Sequence, residues 1–309
     1  MSYGAKDPRS AIAAGRQAPE RPNIPAQYLD LTELEPDEVS ALGSRTWWAR
    51  GQNVVVAHSV VRAGERLERT GQPDEYVVLF PEPGAAAQVT SRSDTGSDKG
   101  TVADRSVVVV PAGDSHVEVQ VDTTVVRVFS SRSADLQQRC RNGAAYTEPD
   151  PNVAPFAPWP DPVDGPRVRV YPIDDHPYEQ GRFGRLFRCS TVMVNVFDAD
   201  LGPRDTANLS PHHHDDFEQC SLTVTGRWVH HIRTPWTRDL ADWRDDEHVE
   251  VSSPSVTIIP PPAVHTSRSV GQGRNQLIDV FCPPRLDFSE RPGWVLNAAE
   301  YPMPPGGAS

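Results

Sequence analysis

The chain has 309 residues and carries 42 acidic against 30 basic side chains, a formal net charge of −12. That balance argues against nucleic acid as a partner, since phosphate-backbone binding relies on clustered Lys and Arg, and a small-molecule partner is expected. With 31 prolines, 21 glycines and few long helical patterns, the composition favours many short strands joined by turns over a helical bundle.

Residues 1–44 read as a polar, Pro-rich arm, with one short helix expected in DLTELEPDEVSAL, where Thr32 and Glu35 have capping-box spacing. The arm has no apolar stretch of signal-peptide length, and nowhere do about 18 apolar residues run together. A cytoplasmic protein without a membrane partner is therefore expected, and a homo-oligomer is left open. Residues 45–147 change texture: NVVVAHSVV, EYVVLF, RSVVVVPAG, HVEVQV and TVVRVF are β-branched runs separated by turn residues. They demand an antiparallel sandwich or barrel. ADLQQRCRNGAA reads as a helix near the end of this unit, and the prolines of residues 148–165 make an extended linker.

Residues 166–290 supply a second set of strands, among them EQCSLTVTG, RWVHHIR and SVTIIPP, before an irregular tail at 291–309. The halves correspond. VVVVPAGDSH at 107–116 lines up with VTIIPPPAVH at 256–265, and VFSSRSADL at 128–136 with VFCPPRLDF at 280–288. The chain thus reads as a duplicated β-domain. Its four cysteines, Cys140, Cys189, Cys220 and Cys282, are scattered without a C-x-x-C pair, and reduced, buried thiols are expected.

SPHHHDDFEQCSLTVTG, residues 210–226, carries the chemistry. In an extended strand His212, His214 and Glu218 share a face with Leu222 and Val224, which marks that face as interior and leaves His213 on the other side. Buried imidazoles beside a buried carboxylate are expensive unless a divalent metal supplies compensating charge. His265, after Pro260, Pro261 and Pro262 in a strand-ending turn, is the natural fourth ligand.

The pattern H-x-H-x-x-x-E with a following glycine (His212, His214, Glu218, Gly226), then P-x-x-x-x-H (Pro260, His265), resembles the two motifs of the cupin superfamily. The duplication makes it resemble a bicupin. The resemblance implies an all-β protein of two jelly-roll β-barrels in tandem, with a metal held inside the second. In the first unit Glu75 takes the place of Glu218 and His116 that of His265, but Arg69 and Gly71 stand where the histidines belong. One metal per chain is therefore expected, with Arg69 a candidate to receive an anionic group.

RWVHHIRTPW should be the strand after Gly226. One parity carries Trp228, His230 and Ile232 and the other Val229, His231 and Arg233, so His230, His231 and Arg233 are the catalytic candidates. Three imidazoles and a carboxylate suit Fe(II), Mn(II), Ni(II) or Zn(II). Four such donors on an octahedral ion leave a pair of adjacent positions, for substrate with dioxygen or for a bidentate substrate alone. Because Glu218 would lower the charge of a divalent site to about +1, the expected activity is that of a non-haem Fe(II) dioxygenase on a small carboxylate-bearing or phenolic substrate. A metal-dependent isomerase, decarboxylase or lyase is the alternative, and a non-catalytic small-molecule or sugar-binding protein the third reading.

Overall fold

The computed structural model describes residues 24–93 and 96–305; residues 1–23 of the arm and 306–309 of the tail lie outside them. The β-branched runs form strands, and in Tyr76–Phe80, Ser106–Val110 and Thr123–Ser130 every position is buried. Runs that are apolar on both faces belong to sheets covered on both sides. Two lobes result, each of two facing antiparallel sheets.

In the first lobe the larger sheet has seven strands in the order Arg169–Pro172, Ser106–Val110, Tyr76–Phe80, Thr123–Ser130, Val54–Val61, Arg45–Arg50 and Glu38–Val39. It faces a four-stranded sheet of Arg66–Gln72, Gly113–Val119, Ala87–Ser93 and Gly96–Val102. In the second lobe the seven-stranded sheet runs Gln27–Asp30, Ser255–Ile259, Gln219–Thr225, Arg274–Phe281, Met193–Val196 and Arg185–Arg188, with Asp200–Leu201 also paired to Arg274–Phe281. It faces a three-stranded sheet of Glu247–Ser252, Arg227–Arg233 and Val264–Ser269.

The expectation of jelly-roll barrels is corrected here, because among the described residues no sheet closes into a barrel: each of the four is open, with two end strands. The reason lies in what takes the edges. Gln27–Asp30, from the arm, pairs antiparallel with Ser255–Ile259 of the second lobe. Arg169–Pro172, from just after the linker, pairs with Ser106–Val110 of the first. Each large sheet therefore ends in a strand lent by the other half, which satisfies the edge that closure would otherwise use.

The helix expected in DLTELEPDEVSAL does not form. Asp30 Oδ1 accepts from Thr32 N (3.0 Å) and Thr32 Oγ1 (2.6 Å), a local turn that competes with helix, and Pro36 follows. ADLQQRCRNGAA gives a single helical turn, Ala134–Gln137, before the 3-10 turn Gly143–Tyr146.

The core has separate layers. One cluster joins the lobes across the facing large sheets, with Trp47, Leu79 and Val128 meeting Cys220, Leu222, Ile258 and Val280. A second fills the first lobe between its sheets with Val55, Val78, Phe80, Val108 and Phe129. In the second lobe the matching space is broken into smaller clusters, around Phe281 and Phe288, around Trp228 and around Ile232. Its interior holds the polar groups described next.

Candidate metal centre

Ser255–Ile259 ends at the proline run, where Ala263 N donates to Pro260 O (3.1 Å), and the turn delivers His265 onto the strand Val264–Ser269. Across from it His212 N donates to His265 O (3.0 Å) and His265 N to His212 O (2.7 Å), an isolated antiparallel bridge. The backbone thereby fixes two of the three rings. His214 follows two residues on and stacks on Phe217, with ring centroids 4.5 Å apart.

His212, His214 and His265 converge, with one ring nitrogen of each within 4.8 Å of the others. His212 Nδ1–H donates to Ser210 O and His265 Nδ1–H to Ala263 O, each at 2.9 Å. That tautomer leaves the Nε2 lone pairs for a metal. Burial, with His265 next, pushes His214 down to about 2; burial, with His212 next, pushes His265 down to about 3. Burial lowers His212 as well. All three stay neutral at ordinary pH, the form that ligates a metal. Gln219 Oε1 lies 2.9 Å from His214 Nε2 and 3.3 Å from His265 Nε2, so a neutral oxygen faces the same point.

Glu218 does not join this group. Its Oε2 accepts from Gln52 N of the first lobe (2.5 Å), and a Cβ on Gly51 would fall 2.5 Å from the same oxygen. Burial lifts its carboxyl to about 7. Cys220 and Leu222, which share its parity, face the inter-lobe core, whereas Gln219, Ser221 and Thr223 face the inside of the lobe. The first lobe mirrors this: Glu75 Oε2 accepts from Ser190 N (3.0 Å) and Ser190 Oγ (2.7 Å) of the second lobe, and Oε1 from Tyr301 OH (3.2 Å). The two glutamates thus clasp the lobes reciprocally.

A cavity of about 380 Å³ opens over the cluster, with His212, His265, Gln219 and Asp279 on its floor and Arg182 and Arg204 among its walls. Asp279, buried apart from its edge on the cavity, accepts from Ser221 Oγ (2.6 Å) and Gln219 Nε2 (3.1 Å), and burial raises its carboxyl to about 7. Sequence reasoning missed both Asp279 and Gln219; their polarity inside an otherwise apolar strand was the available signal.

Of the catalytic candidates, His230 points inward, is 0 % exposed and pairs through Nδ1 with Ser267 Oγ (2.7 Å). His231 lies on the opposite face against His248 (2.8 Å) and accepts from Arg268 Nε (3.0 Å). Arg233 is an exposed partner of Asp246. In the first lobe Arg69 is engaged by both oxygens of Asp135 and His116 meets Arg66 Nη2 (3.2 Å), while Gly71 turns the chain with φ +60°. Among the described residues, the three histidines of the second lobe are the only such group that could hold a metal ion. Gly226, the motif glycine, has φ +90°, and a Cβ there would lie 2.1 Å from Asn275 Oδ1.

No protein-family model and no curated protein matches the chain. Solved structures do. An oxalate decarboxylase from Lactobacillus farciminis, in complex with formate, is 13% identical with a TM-score of 0.52, over 78% of this chain and 81% of that one. Two variants of the Bacillus subtilis oxalate decarboxylase are each 12% identical, over 86% of this chain and 81% of those, with TM-scores of 0.55 and 0.56. These similarities show the fold alone: the chain has a bicupin fold, and among the described residues it carries a single His-based cluster, in its C-terminal half. That cluster is capable of holding one divalent metal ion, and its donors suit Fe(II), Mn(II), Ni(II) and Zn(II) alike. Among the described residues no helix is long and apolar enough to cross a membrane.

Proposed function

We propose that the protein is a metal-dependent decarboxylase, or a related lyase, acting on a small carboxylate-bearing substrate, with His212, His214 and His265 as the metal ligands. The donor set carries this reading. The expectation of an iron dioxygenase leaned on a carboxylate ligand, and Glu218 is turned toward Gln52 instead. A divalent ion among neutral imidazoles would keep its full charge and act as a Lewis acid toward negative charge developing on a substrate oxygen.

The chain's own residues supply the remaining parts. Arg204, held by the Ser267 and Asn208 carbonyls and by Ser210 Oγ without an acidic partner, places positive charge on the cavity wall, suited to a substrate carboxylate, whereas Arg182 is paired with Glu179. Asp279 holds its carboxyl on the cavity floor against Ser221 and Gln219, where it can hand over a proton. In a decarboxylation the bond to the leaving carboxylate breaks, CO2 departs, and the electron pair left on the carbon takes that proton. Phe183, Phe197 and Trp228 make part of the wall apolar and limit water.

Oxalate is the first substrate to try, since the solved structures of this fold described above are oxalate decarboxylases. Protein loaded in turn with Fe(II), Mn(II) and Zn(II) is incubated without oxygen with carbon-13-labelled oxalate and a panel of small oxo- and dicarboxylic acids. Labelled CO2 released with more than one metal is the expected result. Turnover that strictly requires both Fe(II) and dioxygen would return the dioxygenase, and metal-dependent binding without turnover would favour the non-catalytic reading.

A further inference from the structure

Thr123–Ser130 and Arg274–Phe281 are equivalent strands in the two lobes. Arg127 pairs with Val78 in one and Asp279 with Ser221 in the other. At the point where the second lobe places Asp279 beneath its histidines, the first lobe therefore places a guanidinium. Arg127 is 7 % exposed and faces inward between Val125 and Phe129, which belong to the first lobe's core.

The Arg127 side chain makes no hydrogen bond and no ion pair among the described residues, and its Nε is buried without a partner. It packs against aromatic faces, with Cζ 5.7 Å from the Trp48 ring and 5.9 Å from that of Phe129, while Glu38, Tyr76, Arg69 and Arg139 act on it through space without a direct contact. Cation–π contact offsets only part of the cost of burying a charge, which is high unless an anion accompanies it. Burial also lowers its pKa, the direction an anion would reverse.

A cavity of about 270 Å³ opens over this guanidinium. The other charges on its wall are already matched. Arg69 is held by Asp135, Arg139 by Glu38 (2.8 Å) and Arg66 by Glu68 (2.9 Å), and Glu65 accepts from Ser40 Oγ. Arg69, the residue that the sequence offered for an anion, is thus already taken. One unmatched positive charge remains, beside Trp48, Leu67 and Leu136. A single anionic group on an apolar body fits this wall better than a multiply charged, strongly hydrated anion.

We infer that the first lobe carries a metal-independent site for a small organic monocarboxylate, with Arg127 as its charge partner and Trp48 packed against its body. The site stands apart from the metal centre and does not rest on the reading of the second lobe.

Titration calorimetry of the full chain with benzoate, before and after treatment with a chelator, tests it. One equivalent of binding that survives the chelator is expected. Arg127→Met should weaken that binding about tenfold or more, with metal content unchanged, and Arg127→Lys should retain part of it. Should Arg127→Met fail to fold, wild-type crystals soaked in 4-bromobenzoate decide through the anomalous signal of bromine. Bromine beside Trp48 and Arg127 supports the site. Benzoate binding that is absent from the chelated wild type, binding unaltered by Arg127→Met, or bromine only elsewhere overturns it.

Discussion

The two lobes are built on one frame and filled in opposite ways. Tyr76, Val78 and Phe80 of the first lobe and Gln219, Ser221 and Thr223 of the second point into the space between the sheets from equivalent strands. In the first lobe the tyrosine, valine and phenylalanine close that space with an apolar core. In the second, short polar side chains leave a cavity, and His212, His265 and Asp279 line it. The frame does not require an apolar core in each lobe, because the inter-lobe cluster and the exchanged edge strands already bind the halves together. One lobe can therefore give up packing for a site while the other retains it.

The largest effect that should separate the lobes is on metal. His214→Ala is expected to cost more metal affinity than the roughly 10–100-fold typical of residues that only support a ligand, while thermal unfolding remains cooperative because the apolar clusters are untouched. Metal analysis after gel filtration measures the first and calorimetry the second. Loss of the fold along with the metal would make the cluster structural and remove the contrast.

Exchanging the fillings is the next test. Val78→Ser puts a hydroxyl into the apolar interior of the first lobe and should destabilise the protein by about 1–3 kcal/mol, read from urea unfolding. Ser221→Val puts the first lobe's residue into the second and removes a hydrogen bond to Asp279. It should spare metal binding and lower turnover by about tenfold or more. If both variants behaved alike, the difference between the interiors would have no functional meaning.

Much of this contrast was legible in the sequence. The duplication, the strand content and the convergence of His212, His214 and His265 follow from spacing and motif. Glu218 shows where the reading stopped. Placing Glu218 beside His212 requires an unbroken strand from His212 to Leu222, but the chain bends at Asp215 and Asp216, and the regular strand begins only at Gln219. A bend resets parity, so residues before and after it need not share a face. Leu222 then gave a misleading cue, because an apolar face in a two-lobed protein can meet either of two cores, and here it meets the other lobe. The exchanged strands and the open sheets were hidden for a related reason: which edge accepts a distant strand is a matter of long-range pairing, which local composition does not encode.

The reciprocal glutamates extend the comparison to pH. Burial lifts Glu218 from its usual 4.5 to about 7, so the folded protein holds that proton more tightly than the unfolded chain. The cost of charging it is absent below about pH 4.5 and grows up to about pH 7, so stability falls as pH rises through that window. Asp279, raised to about 7, acts with the same sign. In chelator-treated protein Glu218→Gln should therefore flatten this slope without abolishing it, as urea midpoints at about pH 5 and about pH 8 would show. Glu75 is also raised by burial, so Glu75→Gln should flatten it in the same sense. A Glu218 variant that bound metal less tightly would instead place the carboxylate in the centre.

The smallest effect should come from the outer face of the strand Arg227–Arg233. Trp228, His230 and Ile232 are buried on its inner side, while His231 and Arg233 lie outside, against His248 and Asp246. An exposed ion pair is screened by water and salt and contributes little. Arg233→Ala should therefore leave metal content, stability and turnover unchanged. His230→Ala, by contrast, removes a buried ring that pairs with Ser267 and sits on the strand next to His265. It should lower stability and disturb the metal centre through that neighbouring strand, leaving the ligands in place. If Arg233→Ala weakened substrate binding while His230→Ala did not, the substrate would have to approach from outside the three-stranded sheet. The cavity over the histidines would then lose its role, and with it the functional meaning of the hollow second lobe.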